Sequence, residues 1–99
     1  MNITKTSREE SLTLALQGRL DTTTSPQLDE ALDVSLDGVQ DLTLDFSELT
    51  YISSAGLRVL LRAQKKMNAR KGTMRLTGVN ETIREIFEVT GFSEILTIE

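Results

Sequence analysis

Asp41-Leu42-Thr43-Leu44-Asp45-Phe46 alternates polar with apolar residues, and Leu57-Arg58-Val59-Leu60-Leu61-Arg62-Ala63-Gln64-Lys65-Lys66-Met67 follows with apolar residues at helical spacing. The first stretch puts Leu42, Leu44 and Phe46 on one face of a strand. The second puts Leu57, Leu60, Leu61 and Met67 on the inner stripe of a helix running from Leu57 to Lys71, which Gly72 stops. A strand of period 2 passing into a helix of period 3.6 is the repeating unit of an α/β fold. The same switch recurs on both sides of this unit.

Upstream, Leu12, Leu14 and Leu16 line one face of a strand from Ser11 to Gln17. A weaker β-leaning segment, Asn2 to Thr6, and a polar turn, Ser7-Arg8-Glu9-Glu10, predict a hairpin. Its first strand offers little apolar area and belongs nearer an edge. Ser25-Pro26 opens a helix, with serine as N-cap and proline at N1. Leu28, Ala31, Leu32 and Leu36 follow at helical spacing, and Gly38 ends it. Downstream, Thr73 to Thr77 is a short strand, and Asn80 caps a helix from Glu81 to Thr90 that buries Ile83, Ile86 and Phe87. Gly91 suits the left-handed position after that helix, with Phe92 placed to pack on Phe87. Ile95 to Ile98 is a last strand.

The order β-β-α-β-α-β-α-β predicts one α/β domain over residues 1–99. Its sheet is mixed but mainly parallel, of about five strands, with helices packed against it. Sites in such sheets gather where strands end and helices begin. Two segments fall there, Gly18 to Ser25 and Leu49 to Gly56.

Composition removes several chemistries. There is no histidine and no cysteine, so a Ser-His-Asp triad, a Cys-His pair, most zinc sites and any disulfide are excluded. A net charge of -4 argues against nucleic acid, whose phosphates call for a basic surface. No apolar run approaches the roughly 20 residues of a membrane span, and the N-terminus lacks the apolar core of a signal peptide. The expectation is a cytoplasmic, protein-facing domain with no membrane contact, cofactor or metal. Asp21, Asp29, Asp33, Asp37, Asp41 and Asp45 do not pair as an acid/base set. The scattered glycines match no phosphate loop.

Within Leu49-Thr50-Tyr51-Ile52-Ser53-Ser54-Ala55-Gly56-Leu57, two hydroxyls stand at or just before a helix start, beside a small Ala-Gly pair. Two readings fit them. Serine is a good N-cap, and a helix N-terminus is also where a phosphate is best tolerated, because free N–H groups and the helix dipole favour the added charge. Asp21 sits at the same sheet end, as a turn former or as part of a binding face. Thr22, Thr23 and Thr24 either add hydroxyls to that face or lead into the helix cap. The central helix carries Arg58, Arg62, Lys65, Lys66, Arg70 and Lys71 with no acidic residue between. This is either a solvated face with cations near the helix C-terminus or a contact for an acidic partner.

The stretch Leu44-Asp45-Phe46-Ser47-Glu48-Leu49-Thr50-Tyr51-Ile52-Ser53-Ser54-Ala55-Gly56-Leu57-Arg58-Val59-Leu60 resembles the signature of STAS domains of the bacterial anti-sigma factor antagonists. Gly18 to Pro26 and Ile83 to Phe92 resemble the family's other two recurring segments. The resemblance implies a non-enzymatic partner switch. Such a protein binds an anti-sigma factor that is also a serine kinase, is released when that kinase phosphorylates it, and is reset by a metal-dependent serine phosphatase. The family motif reads Asp-Ser-(Ser or Thr)-Gly. Aligned on Gly56, the phosphorylated serine is Ser54, preferred over Ser53. Here Ser53 stands for the aspartate and Ala55 for the second hydroxyl residue. The partner-binding face is then expected to hold Asp21, Thr22, Thr23, Ser53, Ser54, Ala55, Gly56, Arg58 and Arg62. An alternative within the family is an accessory subunit of a lipid-transport ATPase, without phosphorylation. A serine enzyme built on Ser54 lacks a base.

Overall fold

Strand β2 (Ser11–Leu20) buries Leu12, Leu14, Leu16 and Leu20, while Thr13, Ala15 and Arg19 face outward. The computed structural model describes residues 1–99. The chain runs β1 (Asn2–Arg8), β2, α1 (Ser25–Ser35), β3 (Asp41–Ile52), α2 (Ser54–Ala69), β4 (Thr73–Thr77), α3 (Glu81–Thr90), a 3-10 turn at Phe92–Glu94, and β5 (Thr97–Ile98). The five strands form one sheet in sequential order. β1 pairs antiparallel with β2, and every later pair is parallel.

Sequential parallel strands joined by right-handed crossovers carry all their helices on one face. The burial pattern agrees. Leu12, Leu14 and Leu16 of β2, Leu42, Leu44 and Phe46 of β3, and Met74 and Leu76 of β4 join one core of 23 residues with Leu28, Leu32, Leu60, Met67, Ile83 and Phe87 from the helices. The opposite face carries Thr13, Thr43, Asp45 and Arg75. The strands therefore alternate instead of reading as continuous apolar runs.

The mixed sheet, its mainly parallel character and the edge position of β1 agree with the sequence reading, but several boundaries move. β1 extends to Arg8, and the hairpin turn shrinks to Glu9-Glu10, with Glu9 at φ 55°. The Glu10 carbonyl accepts from the amides of Gln40 and Asp41, and the Gln40 carbonyl from Thr73, which aligns the starts of β2, β3 and β4.

β2 continues to Leu20 beyond Gln17, and β3 to Ile52 beyond Phe46. The alternation breaks at Ser47-Glu48 because β3 there advances one residue further than β2, and again after Leu49. Such bulges keep pairing alive while interrupting period 2. Asp45 stabilises the first by accepting from the Ser47 hydroxyl at 2.6 Å and the Ser47 amide at 2.9 Å. These two bonds, the side-chain one foremost, hold its pKa below the ordinary 3.8.

α2 begins at Ser54 and ends at Ala69, earlier at both ends than the expected Leu57–Lys71. Its inner stripe is Leu57, Leu60, Gln64 and Met67 flanked by Val59 and Ala63, while Leu61 is only half-buried. A residue directly after Leu60 lies about 100° around the helix from it. α1 starts at the residue expected to cap it. Thr24 takes the N-cap position and Ser25 is buried in the first turn. Its last residue is Ser35, and Gly38 (φ 76°) turns the chain toward β3 three residues later.

α3 matches its expected bounds. The Asn80 side chain accepts from the Ile83 amide at 2.8 Å, and Gly91 is left-handed at φ 81°. Phe87 pairs with Phe46, ring centroids 6.4 Å apart. Phe92 is half-buried against the core and opens the 3-10 turn, so the last strand shrinks from Ile95–Ile98 to Thr97–Ile98. Ile95 is exposed and Leu96 turns inward instead.

Candidate functional site

β2 and β3 run parallel and finish side by side, with Leu20 opposite Ile52, and the Ser53 amide donates to the Leu20 carbonyl at 2.9 Å. Two segments 32 residues apart in sequence (Asp21 to Ser53) are thereby brought to one sheet end, Asp21–Thr24 leading into α1 and Ser53–Gly56 leading into α2.

Asp21 is the organiser of the first turn. Its Oδ1 accepts from the amides of Thr23 at 3.0 Å and Thr24 at 3.1 Å, and the Ser25 amide donates to the Asp21 carbonyl. Thr24 Oγ1 accepts from the Asp21 amide and donates to the Arg19 carbonyl at 2.7 Å. The Thr24 hydroxyl is thus spent inside the turn, whereas Thr22 and Thr23 stay exposed. The pre-formed turn explains why Thr24 is the N-cap of α1 and leaves the Ser25 side chain without a capping role.

Donation by the Thr24 amide is the largest influence holding the Asp21 carboxyl below the usual 3.8. The Thr24 hydroxyl, the Thr23 amide and nearby Arg19 act in the same direction. A carboxylate with a depressed folded-state pKa contributes stability that is fully present above its unfolded-state value and is lost as pH falls through the folded-state value. Asp21→Asn is therefore expected to unfold at lower urea than the parent at neutral pH, with the gap closing as pH falls below the ordinary carboxylate value of about 4. A gap that stays constant across a pH series of urea titrations would contradict this account of the turn.

Arg19 also lies over the Tyr51 ring, 4.3 Å from its centroid, and its Nε is 3.6 Å from Asp21 Oδ2. Sequence reasoning missed this pair. Arg19 and Tyr51 are register partners, which shows only once β2 and β3 extend through their bulges.

The two serines part company. Ser53 occupies the N-cap of α2 with extended backbone (φ -105°, ψ 176°), and its carbonyl accepts from Leu57, but its side chain makes no capping bond. The Ser53 hydroxyl is shut away from solvent and has no hydrogen-bond partner. Ser54, the first helical residue, is exposed. Ala55 and Gly56 are buried beneath it. A Cβ on Gly56 would stand 2.8 Å from Leu20 Cγ and 2.9 Å from Ile52 Cγ1, so only glycine lets the first turn of α2 lie directly on the strand ends.

The basic face of α2 is largely committed to the protein itself. Arg62 pairs with Asp29 at 2.5 Å and Lys66 with Asp33 at 2.6 Å, both on α1. Arg70 donates to the carbonyls of Leu36 and Val39. Arg62 thus joins α2 to α1 at the rim of the site, while Arg58 is exposed and enters no ion pair or hydrogen bond. No group of three or more acidic, histidine or cysteine side chains is arranged to hold a metal. No helix is long and apolar enough to cross a membrane.

The STAS domain family model matches residues 2–99. The chain belongs to the STAS domain family. BtrV of Bordetella bronchiseptica, assigned as an anti-sigma factor antagonist, is 34% identical over 99 residues, covering 99% of this chain and 85% of that protein. The anti-sigma-B factor antagonist of Staphylococcus aureus is 27% identical over 99 residues, covering 99% of this chain and 92% of that one. Among solved structures, the Bacillus cell fate determinant SpoIIAA in its phosphorylated form superposes with a TM-score of 0.78 at 19% identity, covering 99% of this chain and 91% of that one. This STAS domain therefore shares the fold of SpoIIAA, with its two site segments joined by the β2–β3 pairing.

Proposed function

We propose that this STAS domain is an anti-sigma factor antagonist, a cytoplasmic binding protein and not an enzyme. Its docking surface is the sheet end built around Asp21, Thr22, Thr23, Ser54 and Arg58, and its release signal is phosphate on Ser54. The observation that carries the choice of residue is the opposite placement of the two serines. Ser53 Oγ is sealed from solvent, whereas Ser54 projects from the first turn of α2. The names of its relatives support the partner class.

The partner is an anti-sigma factor of the serine-kinase type. It transfers the γ-phosphoryl group of ATP to Ser54 Oγ, the hydroxyl proton passes to a base on the kinase, and ADP leaves. A metal-dependent serine phosphatase reverses the modification with water. Phosphate adds about -1.5 to -2 charges at neutral pH on a surface where Asp21 already carries one. Because α2 starts at Ser54 with free backbone N–H groups, the helix tolerates the new charge. Binding is then lost through surface charge and shape while the fold persists.

The test is calorimetric titration of a kinase-type anti-sigma factor with the parent, Ser54→Asp and Ser54→Ala. Ser54→Asp is expected to weaken binding tenfold or more, about 1.4 kcal/mol. Ser54→Ala is expected to keep binding and to take up no phosphate from ATP. Phosphate appearing on Ser54→Ala, or undiminished affinity of a folded Ser54→Asp, would refute the assignment.

A further inference from the structure

Beside Ser54, the first turns of α1 and α2 enclose a groove lined by Ser25, Pro26, Asp29, Ala55, Arg58, Val59 and Arg62. Its charges are unevenly used. Asp29 and Arg62 neutralise each other, which leaves the Arg58 guanidinium as the unpaired cation on the groove wall. Ser25 lies on the same wall. It is 6% exposed as a residue, but its hydroxyl, unlike that of Ser53, is not sealed from solvent. An unpaired cation in a groove beside a serine hydroxyl suits an oxyanion.

Arg58 is also four residues after Ser54 on α2. Side chains at i and i+4 lie on the same helix face about 5–6 Å apart at Cβ, and an acidic group N-terminal to a basic one is the favourable order. The guanidinium fork matches two phosphate oxygens.

We propose that the phosphoryl group on Ser54 is retained by its own protein, clasped by Arg58. This rests on the reading of Ser54 as the phosphorylated residue. Its consequence is a double change at the docking surface: phosphorylation adds an anion and withdraws the free cation, Arg58, from the partner. The other charged groups facing the phosphate are Asp21 in the β2–α1 turn, held by its own turn amides and near Arg19, and the neutralised Asp29–Arg62 pair. None of these offers a second free cation from α1 or α2.

The experiment installs phosphoserine at position 54 in the full chain by genetic encoding and follows its 31P resonance through a pH titration. A nearby cation favours the dianion and lowers the second phosphate pKa from its ordinary value of about 6. For an exposed pair the difference between parent and Arg58→Gln should be about half a pH unit, with Arg58→Gln titrating higher. Arg62→Gln should move the midpoint much less, and Arg58→Lys should restore part of it. Equal midpoints in the parent and Arg58→Gln would overturn the clasp. A parallel titration of both phosphoproteins with the anti-sigma factor separates the two ideas. If phosphate still abolishes binding while the midpoints coincide, only the clasp fails. If the phosphorylated parent binds as well as the unmodified one, the reading of Ser54 as a release switch fails.

Discussion

Phe46→Ala is expected to lower stability by about 3–5 kcal/mol. Phe46 is fully buried at the point where the leucine face of β3 meets α3, and its ring packs on Phe87, itself fully buried, at 6.4 Å with a 42° tilt. Truncation forfeits the transfer free energy of the ring, leaves a cavity the surrounding leucines fill only in part, and removes an aromatic pair. A domain of this size has roughly 5–15 kcal/mol in all, so the loss is about a fifth of the total or more. With about 4–8 °C per kcal/mol for a domain of 60–100 residues, the melting temperature should fall by more than 10 °C. Phe46→Leu, which keeps most of the volume, should cost much less. Urea unfolding of the three proteins checks the order, and a Phe46→Ala protein within 1 kcal/mol of the parent would mean that the core closes over the gap.

Gly56→Val is expected to cost about 2–3 kcal/mol and to disturb binding as well as stability. Helix propensity alone predicts the opposite sign, since glycine inside a helix is the worse residue by about half a kcal/mol relative to valine. Steric conflict outweighs it. The first added atom already meets Leu20 and Ile52 at 2.8 and 2.9 Å. Both side chains are almost wholly buried and have no free space to retreat into. Overpacking of this kind costs about 1–3 kcal/mol for smaller insertions. α2 must lift at its N-terminus, which moves Ser54 relative to Asp21. Urea denaturation and affinity for the anti-sigma factor, measured on the same preparation, should both fall. A Gly56→Val protein more stable than the parent would show propensity winning and the close approach to be unimportant.

How far the fold could be read depended on how regular each element was. α3 was legible to the residue because Asn80, Ile83, Phe87 and Gly91 each use a local rule, a side-chain cap at one end and a left-handed glycine at the other. β3 was legible only in its first half. Its bulges place Ser47 and Glu48 outward in succession, and a pattern rule reads that as a strand end. The same premature ending hid the Arg19–Tyr51 stack and moved the expected start of α2 from Ser54 to Leu57. The Ser25-Pro26 pair reads as N-cap and N1, whereas the Asp21 turn orders the chain one residue earlier and makes Thr24 the cap.

By itself the sequence determined the α/β order, the edge position of β1, the buried faces of β2, β3 and β4 and the candidate segments around Asp21 and Ser54. All of these follow from short-range periodicity and end signals, which operate within a turn or two of backbone. Which serine is available was a tertiary decision. Ser53 and Ser54 are adjacent and chemically equal, and only the anchoring of the Ser53 amide on Leu20, with Gly56 pressed against the strand ends, turns one hydroxyl inward and the other to solvent. The basic face of α2 was likewise ambiguous in sequence. Packing against α1 paired Arg62 and Lys66 with Asp29 and Asp33 and left Arg58 free beside Ser54, because an ion pair depends on distance in space, which periodicity along one helix does not carry.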